Sequence, residues 1–350
     1  MSGSSLDGID LAYVHLYEAG GKWNYEIIAT ECYPYSSEWK EDLAKAVHLT
    51  ALKYQLLHSR YGAYIAQQVN IFINSYELQH KVDLITSHGH TVFHLPQFKM
   101  TAQIGDGAAI AAQTNLPVVS DLRSLDIAFG GQGAPIVPIG EKLLFKEYDC
   151  FLNLGGIANI SLHKNDSCIA YDVCPANRVL NMLAKEKNVE YDDKGKITAS
   201  GKIDEELLKQ LNALEYYGKA YPKSLDNSFG VDIIYPLIKK SAISIEDGLR
   251  TYTEHICIQL KNAFGGQHKK LLITGGGSFN EFLIQQLKRY LLDSGIEILV
   301  PDEKLVQYKE ALIMALIGTL RWREEPNVLA SVTGASQNSV GGALWLGVEA

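Results

Sequence analysis

The chain of 350 residues lacks the sequence features of several large protein classes. Its five cysteines form no CxxC pair and no metal-binding spacing, which indicates reduced thiols in a cytoplasmic protein. No apolar run is long enough for a membrane span, and no basic segment followed by an apolar one predicts a signal peptide. Lys and Arg number 32 against 40 Asp and Glu, and the net charge of -8 argues against binding to nucleic acid or to an anionic membrane face.

Two nucleotide-binding signatures and a zinc signature are also missing. No segment matches GxxxxGK[ST], and no GxGxxG follows a predicted strand, so the sequence supports neither a Walker NTPase nor a dinucleotide-binding dehydrogenase. His88, His90 and His94 lie within seven residues, but no HExxH pattern and no neighbouring Cys or Glu completes a zinc ligand set. We interpret these histidines as sugar contacts or packing residues.

The residues that are present favour an α/β protein with two domains. The length and the 47% hydrophobic content are enough for two cores. Runs of β-branched and aromatic residues alternate with stretches at helical spacing, and this alternation favours sheets covered by helices. The predicted strands are 9–16, 22–31, 82–87, 117–120, 148–154, 159–163, 169–173, 271–274 and 296–300. The predicted helices are 50–78, 175–187, 202–214, 246–264 with a capping box from Ser244 to Asp247, one starting at Ser278 with a capping box to Glu281, and 303–323. Composition shifts near 130–135, so we predict domains at 1–133 and 134–350.

Three glycine-containing segments could hold phosphate. Segment 3–8 combines two glycines, two hydroxyls and Asp7, whose carboxylate could hold Mg²⁺ through water. Gly155 and Gly156 turn the chain between two predicted strands. Segment 274–278 ends a strand with three glycines and opens a helix, where anions bind readily. An ordinary turn is the alternative for each segment, and it is weakest for the three consecutive glycines.

Charged residues at strand ends are the candidates for chemistry. Asp172 ends a predicted strand just before a helix, a favourable place for a general base. Asp121 and Arg123 follow another strand, where they could hold a carboxylate or hydroxyls, with a surface ion pair as the alternative. Cys174 has no adjacent histidine base, so we do not expect it to act as a nucleophile.

These segments, in this order, resemble the anhydro-N-acetylmuramic acid kinases over nearly the whole chain. The resemblance is carried by MSGSSLDGID at 1–10, SHGHTV at 87–92, QIGDG at 103–107, GGQGAPIVP at 130–138, NLGGIANIS at 153–161, PKS at 222–224, TGGG at 274–277 and KEA at 309–311. Each motif alone is moderately specific, whereas their joint order is highly specific.

The resemblance implies a two-domain actin-like (ribonuclease H-like) ATPase fold with an active-site cleft between the domains, ATP and Mg²⁺ as cofactors, and a homodimer. It implies a cytoplasmic kinase of peptidoglycan recycling and amino-sugar metabolism. In that reaction water opens the ring of 1,6-anhydro-N-acetylmuramic acid and ATP phosphorylates O6, which gives N-acetylmuramic acid 6-phosphate. Two alternatives stay open: an amino-sugar kinase of the same fold with another substrate, and a nucleotide-binding regulator that has lost catalysis.

The resemblance also assigns roles to particular residues. It makes Asp172 the catalytic base and places Asp7 near Mg²⁺. The residues expected to bind the sugar are His88, Thr91, Arg123 and Glu310. The residues expected to bind ATP are Gly3, Ser4, Ser5, Leu6, Asp7, Gly8, Ile9, Asp10, Gly155, Gly156, Gly275, Gly276, Gly277 and Ser278.

The chain departs from the family pattern at three places. The family has DTGPGN where this chain has DVCPAN at 172–177, so a hydroxyl and two glycines are replaced. If those glycines serve positive φ or close ligand approach, Cys174 and Ala176 must reshape the loop. His90 stands where the family usually has Gln, and both side chains can donate and accept hydrogen bonds. Family members also place a short apolar strand before the Met-Ser-Gly segment, so we expect the natural protein to extend upstream of Met1.

Overall fold

A computed structural model describes residues 1–3, 6–164, 167–221, 223–226, 228–265 and 270–347. The strands are β1 Gly8–Ala19, β2 Lys22–Pro34, β3 Ile85–Thr86, β4 His90–Leu95, β5 Met100–Ile104, β6 Val118–Ser120, β7 Cys150–Leu154, β8 Ile157–Lys164, β9 Ser167–Pro175, β10 Lys270–Thr274, β11 Glu297–Leu299 and β12 Ala343–Trp345. The α-helices are α1 Ser37–Lys45, α2 Ala51–Ser75, α3 Gly107–Thr114, α4 Ser124–Ala128, α5 Pro138–Leu144, α6 Asn177–Lys185, α7 Lys196–Ser200, α8 Glu205–Asn212, α9 Glu215–Gly218, α10 Tyr235–Lys240, α11 Ile245–Phe264, α12 Glu281–Leu291, α13 Glu303–Trp322 and α14 Ala330–Thr333. The mixed α/β class predicted from the sequence is confirmed. Within the described ranges, no helix is long and apolar enough to cross a bilayer.

Two compact units make up the chain. One comprises Met1–Lys146 with Tyr308–Ala350, and the other comprises Glu147–Gln307. This division differs from the predicted domains 1–133 and 134–350, because the C-terminal strand returns to the first unit, where β12 pairs antiparallel with β6. The segment near 130–135 lies inside the first unit instead of at its border. The roles assigned to the two predicted domains stay predictions.

The first unit combines short sheets with the long helix α2. Strands β1 and β2 form an antiparallel hairpin, β4 and β5 form another, and β12, β6 and β3 form a sheet in that order. The predicted helical spacing is confirmed in α2, whose buried face packs into the core of this unit. The buried members of that core include Ile9, Leu57, Tyr61, Ile65, Ile104, Ile110 and Val118.

The second unit is built on a five-stranded sheet in the order β11-β10-β7-β8-β9. Strands β11, β10 and β7 are parallel, and the meander β7-β8-β9 is antiparallel. Helix α11 is buried along much of its length, and its predicted cap is confirmed because the Ser244 hydroxyl accepts a hydrogen bond from the Asp247 backbone N–H at 3.1 Å. The carboxyl ends of β7 and β10 therefore lie at one edge of this sheet.

Two local predictions need correction. The helix expected to start at Ser278 begins at Glu281, because the Asn280 side chain caps it by accepting from the Leu283 N–H at 3.0 Å. Ser278 lies instead in a 3₁₀ turn over Gly276–Phe279, so the predicted capping box to Glu281 is wrong. The hairpin of β4 and β5 was not predicted, since its strands mix exposed and half-buried positions without regular alternation.

Candidate active site

The segment expected to hold phosphate is a turn between two antiparallel segments. Ser2 bridges to Ile9, and the Met1 carbonyl accepts from the Asp10 N–H at 2.8 Å. Gly8 is needed at the end of the turn, since a Cβ there would lie 2.5 Å from the Tyr33 carbonyl oxygen. Gly3, Leu6 and the exposed Asp7 belong to the same turn, whereas the predicted ligands Ser4 and Ser5 lie outside the described residues. The expected upstream extension stays a prediction.

A buried network ties this turn to the histidine segment. The Ser2 hydroxyl is 3.1 Å from His90 Nδ1 and accepts from the Tyr35 hydroxyl at 2.8 Å. Burial lowers the pKa of His90, so its imidazole is neutral near pH 7. His90, which replaces the usual Gln, therefore fixes the position of Ser2 through one ring nitrogen.

Two of the predicted sugar residues form a rigid pair. His88 Nε2 accepts from Arg123 Nε at 3.0 Å and lies 2.7 Å from Arg123 Nη2, while His88 Nδ1 lies 3.1 Å from the Gly89 carbonyl. A neutral imidazole protonated on Nδ1 satisfies all three contacts. Burial and the neighbouring guanidinium keep the pKa of His88 well below its ordinary value, which maintains this tautomer.

Arg123 is a half-buried cation. Burial lowers its pKa to about 10, and the carboxylates of Glu310 and Asp126 oppose that shift, so the guanidinium stays charged at neutral pH. Its Nη1 donates to the Gly133 carbonyl at 2.6 Å. Across the described ranges, these contacts leave two of its five N–H groups without a protein acceptor. A planar cation fixed in this way suits a carboxylate or paired hydroxyls.

The other two predicted sugar residues, Glu310 and Thr91, differ in whether they lie near the pair of His88 and Arg123. Glu310 is half-buried and close enough to act on the pKa of Arg123, so the structure places it near that side chain. Thr91 is exposed on β4, and its hydroxyl accepts from Gln103 Nε2 at 3.4 Å. No described contact joins Thr91 to His88 or Arg123.

Asp172 lies on β9 in the second unit, half-buried and held by backbone. Its Oδ2 accepts from the Leu225 N–H at 2.9 Å, and its own carbonyl accepts from the Tyr216 hydroxyl at 2.5 Å. Burial raises the pKa of Asp172, and the Leu225 hydrogen bond opposes that rise. A bulge beside Asp172, where the β8 pairing shifts between Ala158 and Asn159, adjusts the direction of the strand at this point.

The substitutions beside Asp172 do not require positive φ at Cys174 or Ala176. Cys174 and Ala176 both have negative φ. Cys174 is fully buried in the core of the second unit, where burial raises its thiol pKa, in agreement with a packing role. The Ala176 and Arg178 N–H groups donate to the Gly156 carbonyl at 2.8 and 3.3 Å. This loop therefore stays ordered without the glycines of the family pattern.

The predicted nucleotide glycines of this unit lie together. Gly277 packs against Leu154 and Asn177, since an added Cβ would lie 2.9 Å from atoms of each. Asn177 Nδ2 also donates to the Leu154 carbonyl at 3.0 Å. Around Gly155, Gly156 and Gly276 an added Cβ would meet nothing closer than 3.5 Å. The glycines at the end of β7 and after β10 thus lie together, with free space beside Gly155, Gly156 and Gly276, and we call this place the glycine opening.

Three buried polar atoms around these glycines have no hydrogen-bond partner in the described part of the chain. They are Thr274 Oγ1, Ser278 Oγ and Arg178 Nε. Leaving a buried donor or acceptor unpaired costs about 1–3 kcal/mol. Two hydroxyls and a cation suit the polar and anionic groups of a nucleotide. Ser278 was predicted, whereas Arg178 was missed because it belongs to no recognised motif.

Four polar residues form a row across the sheet at its carboxyl edge. Thr274 pairs with Asn153, which pairs with Asn159 on β8, which in turn pairs with Asp172. Directly opposed residues on neighbouring strands share one face of a sheet. Asn153 and Asn159 were inside a quoted motif but were not chosen as site residues. The row connects the glycine opening to Asp172 through the sheet itself.

Lys223 is a further charged residue, and it contacts Tyr216, whose hydroxyl donates to the Asp172 carbonyl. Its ammonium lies 4.7 Å from the ring centroid of Tyr216 and 3.3 Å from the Tyr216 carbonyl oxygen. Burial lowers the pKa of Lys223. It belongs to the PKS motif at 222–224, whose first residue lies outside the described ranges.

For metal binding, the described residues contain no cluster of three or more His, Cys, Asp or Glu side chains. Asp7 is exposed on the phosphate turn, and Asp10 lies close enough to it for their charges to interact. Mg²⁺ commonly binds through one or two carboxylates plus substrate phosphates and water. Asp7 fits such a site, and the assignment of Mg²⁺ to it stays a prediction.

Comparison with known proteins identifies the family. The chain is 33% identical over 362 residues to an anhydro-N-acetylmuramic acid kinase from Aliivibrio fischeri, covering 99% of this chain and 97% of that one. It is 32% identical over 364 residues to the enzyme of that name from Hydrogenovibrio crunogenus, at 99% and 96% coverage. A solved ROK family glucokinase from Streptomyces griseus, in complex with glucose and AMPPNP, matches with 12% identity, a TM-score of 0.39, and 88% and 99% coverage. The family profile described as anhydro-N-acetylmuramic acid kinase matches residues 1–347. The chain therefore belongs to the anhydro-N-acetylmuramic acid kinase family and is a kinase.

Proposed function

We propose that the protein phosphorylates 1,6-anhydro-N-acetylmuramic acid with ATP while water opens its anhydro ring. The observation that carries this proposal is Asp172, a half-buried carboxylate fixed by the Leu225 N–H in a chain of this family. Burial raises its pKa, which makes this fixed carboxylate a stronger base than an exposed Asp. Those are the properties that a base for water activation needs.

The proposed reaction balances with one water and one ATP. Asp172 takes a proton from water as the water oxygen bonds to the anomeric carbon. The bond from that carbon to O6 breaks, and O6 bonds to the γ-phosphorus as the bridging oxygen leaves with ADP. The product is N-acetylmuramic acid 6-phosphate. Because phosphoryl transfer depends mainly on positioning and charge stabilisation, the protein needs few groups beyond these.

The first unit would bind the sugar and the phosphates. The backbone N–H groups around Gly3, Leu6, Asp7 and Gly8 would bind phosphate oxygens, and Asp7 would hold Mg²⁺, which neutralises phosphate charge when bound. Arg123 would bind the lactyl carboxylate or neighbouring hydroxyls of the sugar through its two uncommitted N–H groups. His88 orients that guanidinium by accepting from its other edge. The carboxylate of Glu310 would accept from sugar hydroxyls.

The second unit would supply the base and the nucleotide contacts. The orphaned hydroxyls of Thr274 and Ser278 and the Nε of Arg178 are the groups for which a bound nucleotide would provide partners. Gly275 and Gly276 let the nucleotide approach the backbone closely. These proposed contacts are independent of the sugar, so nucleotide binding can be measured without it.

Turnover in ¹⁸O-labelled water tests the proposed reaction. The protein, ATP, Mg²⁺ and the anhydro sugar should give a phosphorylated product that carries ¹⁸O on C1 and none in the transferred phosphate. Phosphorylation of other amino sugars only would favour the alternative kinase, and nucleotide binding without turnover would favour a regulator. Omission of Mg²⁺ and light scattering of the purified protein would test the metal and the proposed homodimer. Fractionation of the source cells would test the proposed cytoplasmic location.

A further inference from the structure

Asp126 is a buried carboxylate that the proposed reaction does not use. It lies on α4, three residues after Arg123, and its side chain is 1% exposed. Burying an ionised carboxylate is costly unless hydrogen bonds and nearby positive charge compensate for the lost water. The hydrogen-bond partners of the Asp126 carboxylate must therefore compensate for the water that it loses.

The loop after α4 closes around this carboxylate. Oδ2 of Asp126 accepts from the Gly133 N–H at 2.7 Å, and Oδ1 accepts from the Thr333 hydroxyl at 2.7 Å. The Gly131 N–H donates to the Asp126 backbone carbonyl at 2.9 Å, and a Cβ on Gly131 would clash with Oδ2. The loop at 130–133 is thus shaped to fit one acidic side chain.

The same loop holds Arg123. Gly133 donates its N–H to Asp126 and accepts from Arg123 Nη1 at 2.6 Å through its carbonyl. One residue thereby connects the buried acid to the guanidinium, which His88 holds on its other edge. The charge of Asp126 also favours the cationic form of Arg123.

We propose that Asp126 is a positioning residue for sugar binding, which acts by fixing Gly133 and thereby the orientation of the Arg123 guanidinium. This inference rests on the proposed function, in which Arg123 binds the sugar. Asp126 contacts no substrate in this account. Its substitution should weaken sugar binding selectively and leave nucleotide binding unchanged.

The test compares Asp126→Ala with Asp126→Asn. The Ala variant loses both hydrogen bonds, and we expect the KM for the anhydro sugar to rise about tenfold or more, with the KM for ATP within about twofold. The Asn variant can still accept from the Gly133 N–H through its amide oxygen, so its effect on the sugar KM should be smaller. Calorimetric titration of the sugar should show the same order of affinities without turnover. Equal rises in both KM values, or none, would overturn the proposal.

A double-mutant cycle with Arg123→Ala tests whether Asp126 acts through the arginine. In the Arg123→Ala background, Asp126→Ala should change the sugar KM by less than about twofold, because the positioned group is already gone. Additive losses would show a separate role and refute the inference. If Asp126→Ala does not fold, Thr333→Val removes only one of the two hydrogen bonds and should show a weaker rise of the same selectivity.

A matched control exists in the second unit. Asp192 is also buried, and its Oδ2 accepts from the Thr198 N–H at 2.8 Å and from the Thr198 hydroxyl at 2.7 Å. Asp192→Ala should lower thermal stability without a selective change in the sugar KM. If the wild-type protein neither binds nor phosphorylates the sugar, the proposed function is wrong. If the wild type is active and Asp126→Ala leaves the KM for the sugar unchanged, only this inference is wrong.

Discussion

Replacing Asp172 by Asn tests the proposed base with little change in shape. The amide oxygen of Asn can still accept from the Leu225 N–H, which lies 2.9 Å from Oδ2 in the structure. The variant cannot take a proton from water, and loss of a general base costs roughly 10²–10⁴ in rate. That range corresponds to about 3–5 kcal/mol in the activation barrier. Nucleotide affinity should stay within about twofold, because the orphaned groups near the glycines are untouched.

The same substitution makes a prediction about stability. Burial raises the pKa of Asp172 above its ordinary value of 3.8, so the folded protein binds this proton more tightly than the unfolded chain does. Its contribution to stability therefore falls as pH rises from below 3.8 through the folded pKa, and the full cost is present above the folded pKa. Asn carries no such cost. Asp172→Asn should thus be at least as stable as the wild type at pH 7, and any advantage should vanish in acid.

The assay is single-turnover phosphorylation of the anhydro sugar beside a thermal melt at several pH values. The wild-type kcat/KM should fall on the acid side, with its midpoint shifted upward from the ordinary Asp value of 3.8, since the ionised base is required. The residual rate of the Asn variant should not show this fall in acid. Retention of more than a tenth of wild-type activity, or loss of nucleotide binding in a well-folded variant, would refute the role assigned to Asp172.

Three further changes are predicted from the described contacts. Gly275→Ala should weaken ATP binding and cost about 1–3 kcal/mol in stability, because φ is +83° there and the new Cβ would clash with Asn153; a melt and a nucleotide titration measure both effects. Arg123→Lys should raise the sugar KM more than the ATP KM, since an ammonium cannot reproduce the planar contacts with His88, and steady-state kinetics with each substrate varied would expose a uniform loss instead. Restoring the family glycine by Ala176→Gly should not lower the melting temperature and should leave kcat unchanged, because φ −126° with ψ −103° is an uncommon backbone conformation for a residue with a Cβ; a clear loss of stability would contradict this reading.

The sequence predicted much of the fold because its signals were local. Helix α2 follows from apolar spacing, and the Ser244 cap follows from residues three apart. The domain division was less accessible, since the pairing of β12 with β6 joins residues more than 200 positions apart. No local sequence pattern predicts a contact between residues so far apart in the chain.

The candidate site was predicted where residues belong to motifs. Asp172, Arg123 and His88 were chosen on that basis, and the structure shows that the last two form one hydrogen-bonded pair. Asp126 and Arg178 escaped notice because their significance lies in burial and in partners remote in sequence. An aspartate in a short helix looks like a surface residue until its exposure is known.

The polar row across the sheet of the second unit sets a fixed length scale. Neighbouring strands lie about 4.7–4.9 Å apart, so the three steps from Thr274 to Asp172 span roughly 14 Å of hydrogen-bonded backbone. A sheet resists stretching in this direction, because any change in that span would break ladder hydrogen bonds. The separation between the glycine opening and the proposed base is therefore set by the sheet. Adaptation of this scaffold to a sugar of different size has to come from side chains outside the sheet, and not from moving the base relative to the nucleotide.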